Sequence, residues 1–543
     1  MLFKRQPATG LSVAINAALI FFILCFALTL HRYWSFSASF DQGIFNQLFW
    51  NSVHGRFFES SLSSSLSTNV VHSNQAAEVF YRHLGQHFNP IFVLFMPVYA
   101  LFPCNETLIF IQVALVTGAG LVLYALARHY LQPMLAAMIT ISFYCTSTVN
   151  GPTMANFHDI CAAPLLLFAV LWAMEKRHWA LFLLFSILFL GVRQDVGISL
   201  FSIGIYMIVS RRFPRMGIIT CLLSVGYILL VTQGIMPLFS ADVARRMTTE
   251  RFGQFTGGKE ASATEMLLAI ATNPMLLLGE LFRDFRSKIS YVLVHSLALG
   301  LVPVISLTTW SAGGLPFLYL FLQRARNALV ISIRYAMPVV PGVFYGAIIW
   351  WSTRQELFKK QRIRRFWQGC IVLSLLVSII ANPNGTLYFI IPDSIQPTVY
   401  LSLPQQWHHV QQLKPLLKKI ESDASVSATT QLIPYLSQRR GIVRLPALQL
   451  VNDAREVVEV EYLIADLWRF QKYYPAFKGE RKVLKNMVAL VEQLSSSQKY
   501  GIVGFADGVI LMQKQTPSDP QTVNSWLAFR QQLPPSILEQ LKT

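Results

Sequence analysis

Over most of this chain apolar residues gather into uninterrupted runs instead of alternating with polar ones, and the length of those runs decides the fold. The first covers residues 11–30, twenty uncharged residues preceded by Lys4 and Arg5. At about 1.5 Å of rise per residue, such a run crosses a bilayer as one helix. It is longer than a signal-peptide core, and His31-Arg32-Tyr33-Trp34 offers no small-residue cleavage site. It therefore reads as a retained span with a cytoplasmic N-terminus. Further uncharged runs begin near Thr107, Pro133, Ile160, Trp179, Val196, Met216, Ile289, Tyr335 and Phe366. The run over 289–323 is thirty-five residues long, and Ser311-Ala312-Gly313-Gly314 is expected to turn the chain inside it. The expected total is about eleven spans. Residues 88–102 are apolar but only fifteen long, which suits an interfacial or re-entrant helix.

Charge sets the direction. Counted from a cytoplasmic start, the internal loops hold Arg128, Glu175-Lys176-Arg177, Arg211 to Arg215, and the basic stretch from Arg354 to Arg365. That distribution follows the positive-inside rule. Three short spans between residues 160 and 210 require snorkelling flanks or local thinning of the bilayer. The outer side receives residues 31–106, the loop at 150–159, Arg193 to Asp195, residues 241–288, and the stretch with Arg324, Arg326 and Arg334. Those last three arginines run against the charge rule and imply either a local task such as holding a phosphate or a different topology.

From about Pro392 the pattern changes to short alternating segments. Strands are expected at 424–428, 441–445, 457–465 and 501–513, the last folded at Ala506-Asp507-Gly508, with helical periodicity at 413–421 and 481–494. The fold class is thus mainly α: a polytopic membrane helical bundle over residues 1–392, with a large external first loop (31–106), and a soluble extracytoplasmic α/β domain over 393–543. That domain has no Gly-rich phosphate loop, and recognition or bracing is its expected role.

Composition agrees with insertion. Hydrophobic residues make up 53% and charged residues 13%, against roughly 25% charged in soluble domains, and mean hydropathy is +0.45. The net charge of +18 sits largely between apolar runs, where it orients helices and meets lipid headgroups. No nucleic-acid module accompanies it, and no nucleic-acid partner is expected. The six cysteines show neither metal-ligand nor redox spacing.

Four clusters carry candidate chemistry. In the first external loop Asp41 is followed at four-residue steps by Phe45 and Phe49, with Gln47 and Trp50 on a neighbouring face and His54 beyond. A helix lying on the membrane presents both sets. Asp41 is there either a general base or a helix-capping carboxylate. His83 and His87 stand i,i+4, a spacing that chelates a metal on a helix, but the only nearby acid is Glu78, and no metal or other cofactor is expected. His158 and Asp159 precede one span, and Arg193 and Asp195 lie between two short ones. These read as snorkelling loop residues or as a polar cavity in which Arg193 neutralises a phosphate while His158 and Asp159 position a hydroxyl.

At these residues the chain resembles a family of prokaryotic membrane proteins grouped as domain of unknown function 2079. The shared first-loop pattern stands here as Asp41, Gly43, Gln47 and Trp50, followed by His54-Gly55. The resemblance continues through His87-Phe88-Asn89-Pro90, Phe157-His158, Arg193-Gln194-Asp195, Asp423-Ala424-Ser425-Val426 and Leu436-Ser437-Gln438-Arg439. Two departures appear: Arg193-Gln194-Asp195 replaces a Lys-Glu-Asp type triplet, and residues 60–68 form a Ser-rich insert, expected to be a flexible loop. That family in turn resembles the GT-C class of membrane glycosyltransferases. The resemblance implies transfer of a sugar from a polyprenyl-phosphate donor to an extracytoplasmic acceptor at the plasma (inner) membrane. It implies Asp41 as base, Arg193, Arg334 or Lys288 as neutraliser of the leaving phosphate, and a C-terminal domain meeting an envelope protein or glycan. The rival readings are a transporter or flippase and a non-catalytic envelope scaffold.

Overall fold

A computed structural model describes residues 10–240, 250–259, 261–325 and 327–538 of the chain. Lys4, Arg5, Arg326 and part of the expected 241–288 external loop lie outside the described residues. The chain is mainly helical and divides into two units. The first comprises Met1–Thr29, Leu84–Phe102 and Glu106–Asn384; the second comprises Leu30–His83, Pro103–Asn105 and Gly385–Thr543.

In the first unit the long apolar runs become helices long and apolar enough to cross a membrane: Gly10–Trp34, Asn105–Arg128, Pro214–Leu238 and Gln361–Ile380. Thr264–Thr272 and Pro274–Phe282, bent by 89° at their junction, make a fifth if taken as one broken span. The break falls at Asn273-Pro274, where proline cannot donate to the preceding turn. Shorter apolar helices, among them Pro133–Cys145, Ala163–Glu175, Trp179–Leu190 and Gly197–Val209, fill out the unit. Residues 88–102 fold as a 3-10 turn, Pro90–Leu94, and a short helix, Met96–Leu101.

The expected turn at Ser311 to Gly314 is corrected. Those residues lie inside the helix Leu307–Phe321, and the long run breaks earlier, between Phe285–Leu297 and Val302–Ile305. Gly300 and Leu301 adopt positive φ of 64° and 62° there, ahead of Pro303. The glycines serve packing instead: a Cβ on Gly342, in the helix Val340–Ser352, would lie 2.7 Å from the Gly313 Cα. Two helix backbones touch at that point, which only the smallest residues allow.

The second unit is built on a five-stranded sheet ordered Ile442–Arg444, Val426–Ala428, Tyr462–Asp466, Val509–Lys514, Tyr500–Ala506. The first three strands run parallel and the last two pair antiparallel. Side chains alternate between two apolar layers. Tyr462, Ile464, Val509 and Leu511 face one, with the helix Leu403–Leu417; Leu463, Ala465, Ile510 and Met512 face the other, with Lys478–Ser496 and Pro520–Gln531. A sheet covered on both faces needs apolar residues at every position, which is why Tyr462–Asp466 is buried throughout.

The first loop contributes to this unit. The helix Phe40–Val53 enters the first layer through Phe40 and Ile44, beside Leu62. Asn46 Nδ2 donates to the Ser437 hydroxyl at 2.8 Å. The Ser-rich insert is not a flexible loop. Ser60, Ser61, Ser63 and Ser64 are buried, the last three within the short helix Ser61–Ser64. Ser61 Oγ donates to the Ile442 carbonyl at 2.6 Å, and Ser60 Oγ donates to Gln47 Oε1 at 2.8 Å. Hydroxyls are cheap to bury only when so bonded, and here they join the loop to a sheet edge.

Candidate functional site

Three short joints in the first unit share one local design. His158, Arg193 and Ile333 are extended, and each leads into a 3-10 turn, Asp159–Ala162, Gln194–Val196 and Arg334–Ala336 respectively. Apolar helices follow: Ala163–Glu175, Gly197–Val209 and Val340–Ser352. The polar residues expected from the sequence thus stand at helix entrances, and packing of these joints brings several of them together.

Arg193 is the centre. It is 2% exposed and donates from Nε and NH2 to the two Asp195 oxygens, each at 2.6 Å. Its NH1 lies 3.8 Å from Asp159 Oδ1. Asp159, 1% exposed, also accepts from the Ile160 amide at 2.8 Å and from Asn89 Nδ2 at 3.3 Å. A guanidinium fixed by a bidentate carboxylate is a rigid donor.

Two further arginines complete the cluster. The guanidinium carbons of Arg193, Arg251 and Arg334 lie 5.8, 5.7 and 5.2 Å from the centre of one ring, that of Tyr335. Arg251 NH1 donates to the Tyr319 hydroxyl at 3.2 Å, and Arg334 NH1 lies 3.1 Å from His158 Nε2. Among the described residues, three fixed cations thus share one ring beside the carboxylates of Asp159 and Asp195. Beside them is a small space of about 20 Å³, room for about one water, whose lining includes Arg193, Asp195, Ser199, Tyr319 and Tyr335. Charge buried in an apolar bundle must be balanced, and guanidiniums gathered on one ring are donors of the kind that hold an anion. The arrangement suits an anion.

Other expected residues lie elsewhere. His87 Nδ1 meets Gln194 Nε2 at 3.2 Å, and Gln194 Oε1 accepts from the Phe88 amide at 3.1 Å. Lys288 is occupied at a helix end: Nζ donates to the carbonyls of Glu280 and Leu281. His83 opens a 3-10 turn, bonds Ser63 at 2.9 Å, and belongs to the second unit, so it does not share an α-helix with His87. Among the described residues no group of three metal-ligating side chains occurs.

Asp41, Gln47, Trp50 and His54 also belong to the second unit. Ser39, not Asp41, is the N-cap of Phe40–Val53, and Asp41 stands in its first turn, where the helix dipole favours a carboxylate. Arg32 and Arg444 are its charged neighbours. Gln47 is buried with a filled bonding set. Its nitrogen reaches Ser61 Oγ at 3.0 Å and the Arg439 and Arg440 carbonyls at 3.1 Å, and its oxygen accepts from Ser60 and the Leu62 amide. Trp50 and His54 pack ring on ring at 4.4 Å.

The second unit holds its own buried titratable group. His409 contacts Asp507 through Nδ1 at 2.8 Å and Asp466 through Nε2 at 3.4 Å, and stacks on Trp468 at 4.2 Å. Burial alone would lower its pKa. The Asp466 and Asp507 carboxylates more than reverse that, raising it to about 9.

Sequence reading missed Arg251 and Tyr335. Arg251 falls in the stretch expected as a long external loop, with no motif around it. Tyr335 had one signal, an Arg-Tyr pair at the entrance of an apolar run, the same position that His158-Asp159 occupies.

No curated protein matches the chain. The model of a family described as predicted membrane protein (DUF2079) matches residues 32–511, most of the length, with the arginine joints and all but the last three residues of the sheet inside the matched region, and the chain belongs to that family of membrane proteins.

Proposed function

We propose that the protein is a membrane glycosyltransferase that moves a sugar from a polyprenyl-phosphate carrier to an extracytoplasmic acceptor, with the arginine cluster of the first unit holding the donor's phosphate. One observation carries this reading: the guanidiniums of Arg193, Arg251 and Arg334 gather on the ring of Tyr335, beside the carboxylates of Asp159 and Asp195. When the sugar leaves, negative charge grows on the phosphate. Fixed cations in a low-dielectric site stabilise that charge without reorganising. Phosphate is already a weak base and needs neutralisation more than a proton. Arg193 is held by Asp195, Arg251 donates to the Tyr319 hydroxyl and Arg334 stands against His158, so all three are fixed in place.

The acceptor hydroxyl must lose a proton as the new bond forms. Asp159 is the carboxylate beside the arginines, with His158 next to it. Asp41, in the second unit, is proposed for the same role on the ground of the family resemblance. In this reading the shorter apolar helices complete about eleven crossings, the N-terminus is cytoplasmic, and the sheet domain lies outside the plasma membrane.

The test uses the purified full chain with a labelled polyprenyl-phosphate sugar. Arg251→Gln and Arg334→Gln should lose donor binding and transfer together, and the reading fails if both variants bind and transfer as the parent does. Asp159→Asn and Asp41→Asn should separate the base, the true one keeping donor binding while losing transfer. In sealed vesicles a transporter would move the labelled donor unchanged, whereas the transferase modifies an acceptor.

A further inference from the structure

A second polar hollow lies in the first unit, apart from the Tyr335 cluster. It has a volume of about 380 Å³ and is formed where the helix Pro133–Cys145 faces the first two turns of Gln361–Ile380. The two walls differ in chemistry. From the first helix come Met134, Ala137, Met138 and Ile141; from the second come Gln361, Arg364, Arg365 and Gln368. Both sets follow the i, i+3, i+4, i+7 spacing of a single helical face. An apolar stripe therefore looks across a gap at a stripe carrying two guanidiniums, at the start of a helix long and apolar enough to span a membrane.

The charge there is unbalanced. Among the described residues neither Arg364 nor Arg365 has a carboxylate partner. The flanking Arg354, Lys359, Lys360 and Arg362 add four more cations, and the one acid of the stretch, Glu356, pairs with Lys359 at 2.7 Å. The walls are fixed in place. Gln355 accepts from the Gln132 amide and donates to the Tyr130 carbonyl, both at 2.9 Å, tying the short helix Gln355–Lys359 to the entrance of Pro133–Cys145. Phe358, also in the lining, packs on Trp351 and Trp367, which stack at 5.1 Å. Tryptophans near the end of a span are a feature of the membrane–water interface.

We propose that this hollow binds the headgroup of an anionic phospholipid, with Arg364 and Arg365 on the phosphate and the Met134 to Ile141 face along the start of an acyl chain. Its volume falls in the roughly 300–1,000 Å³ range of small-ligand sites. A purely soluble anion would leave the apolar wall without a partner, whereas a lipid matches both walls, and basic pockets between membrane helices recur as anionic headgroup sites.

Phosphatidylglycerol titrated into the purified full chain in neutral detergent tests this, followed by native mass spectrometry and the unfolding temperature. Wild type should retain phosphatidylglycerol in preference to phosphatidylcholine and gain thermal stability from it. The double variant R364Q/R365Q should bind it on the order of tenfold more weakly. R362Q, off the lining face, should bind as wild type does. Both replaced arginines are exposed, so the double variant should unfold at the wild-type temperature without lipid. Equal retention of the two lipids, or equal binding by R364Q/R365Q, overturns the proposal. Inorganic phosphate displacing phosphatidylglycerol at matched concentration would also overturn it, in favour of a soluble phosphate site.

Discussion

The first unit buries two ionic clusters, and they are built to different ends. Around Glu175, whose side chain is fully buried, everything is closed. Arg212 donates to both carboxylate oxygens at 2.9 and 2.7 Å, the hydroxyls of Tyr130 and Tyr345 fill the remaining positions, and Tyr345 reaches Tyr206 at 2.9 Å. One acid meets one base, and the hydroxyls stitch together helix ends. Around Tyr335, three arginines gather on one ring beside Asp159 and Asp195. A balanced, filled cluster fixes helices. A cluster in which several guanidiniums crowd one ring concentrates positive charge at a point, which is what an anionic ligand needs, so the gathering of like charge separates the two where burial alone does not.

That contrast breaks or sharpens under substitution. The largest effect is expected at Arg334→Gln, where transfer should fall on the order of a hundredfold or more, as when one preorganised donor is removed from an anionic transition state. Its thermal unfolding should stay near that of the parent; a large loss of stability instead would place Arg334 with the bracing cluster. Glu175→Gln should do the reverse. Glu175 is buried but the Arg212 side chain is 36% exposed, so the loss should fall below the roughly 3 kcal/mol of a fully buried pair, visible as a lower unfolding temperature with transfer per folded molecule retained.

A third test moves to the second unit, where a buried charge acts as a brace that pH can remove. His409 is raised from its ordinary 6.5 to about 9, so the charged form is the stabilising one. The contribution is complete below about pH 6.5 and disappears as pH rises through about 9, worth up to about 3 kcal/mol. Asp507 is held below the usual carboxylate range chiefly by its bond to His409. Its share is present at neutral pH and lost in acid. His409→Gln should flatten the alkaline limb of the unfolding profile, and an unchanged limb would dismiss the clamp. The smallest effect is expected at Ser61→Ala, about 1 kcal/mol from a lost buried hydrogen bond, read as a drop in unfolding temperature; no change would return the Ser-rich segment to a passive loop.

The sequence made much of this legible, for physical reasons that differ by region. Apolar runs mark the helices because a lipid-facing surface must be continuous, and the strands from Val426 to Lys514 show because turn residues such as Asp507-Gly508 punctuate them. Pairing was harder to see. Gly313 reads as a turn until Gly342 is seen against it, and Ser61 reads as loop until the Ile442 carbonyl is found as its acceptor. Arg193 and Asp159 announce themselves as charges at the edges of apolar runs. Arg251 does not, since its meaning lies in Tyr319 and Tyr335, dozens of residues away.

The second unit is assembled from the two ends of the chain: Phe36, Phe40, Ile44 and Leu62 share an apolar layer with residues between Val410 and Leu511. During biosynthesis the early segment emerges long before its partners, so Phe40–Val53 must wait while some three hundred intervening residues are made and inserted. A nascent chain released early would carry that apolar face uncovered, marking it for proteolysis. Likewise a fragment beginning near residue 393 would lack one wall of its own interior, so secretion of the sheet region as a free protein would require the missing helix to be supplied as a separate peptide.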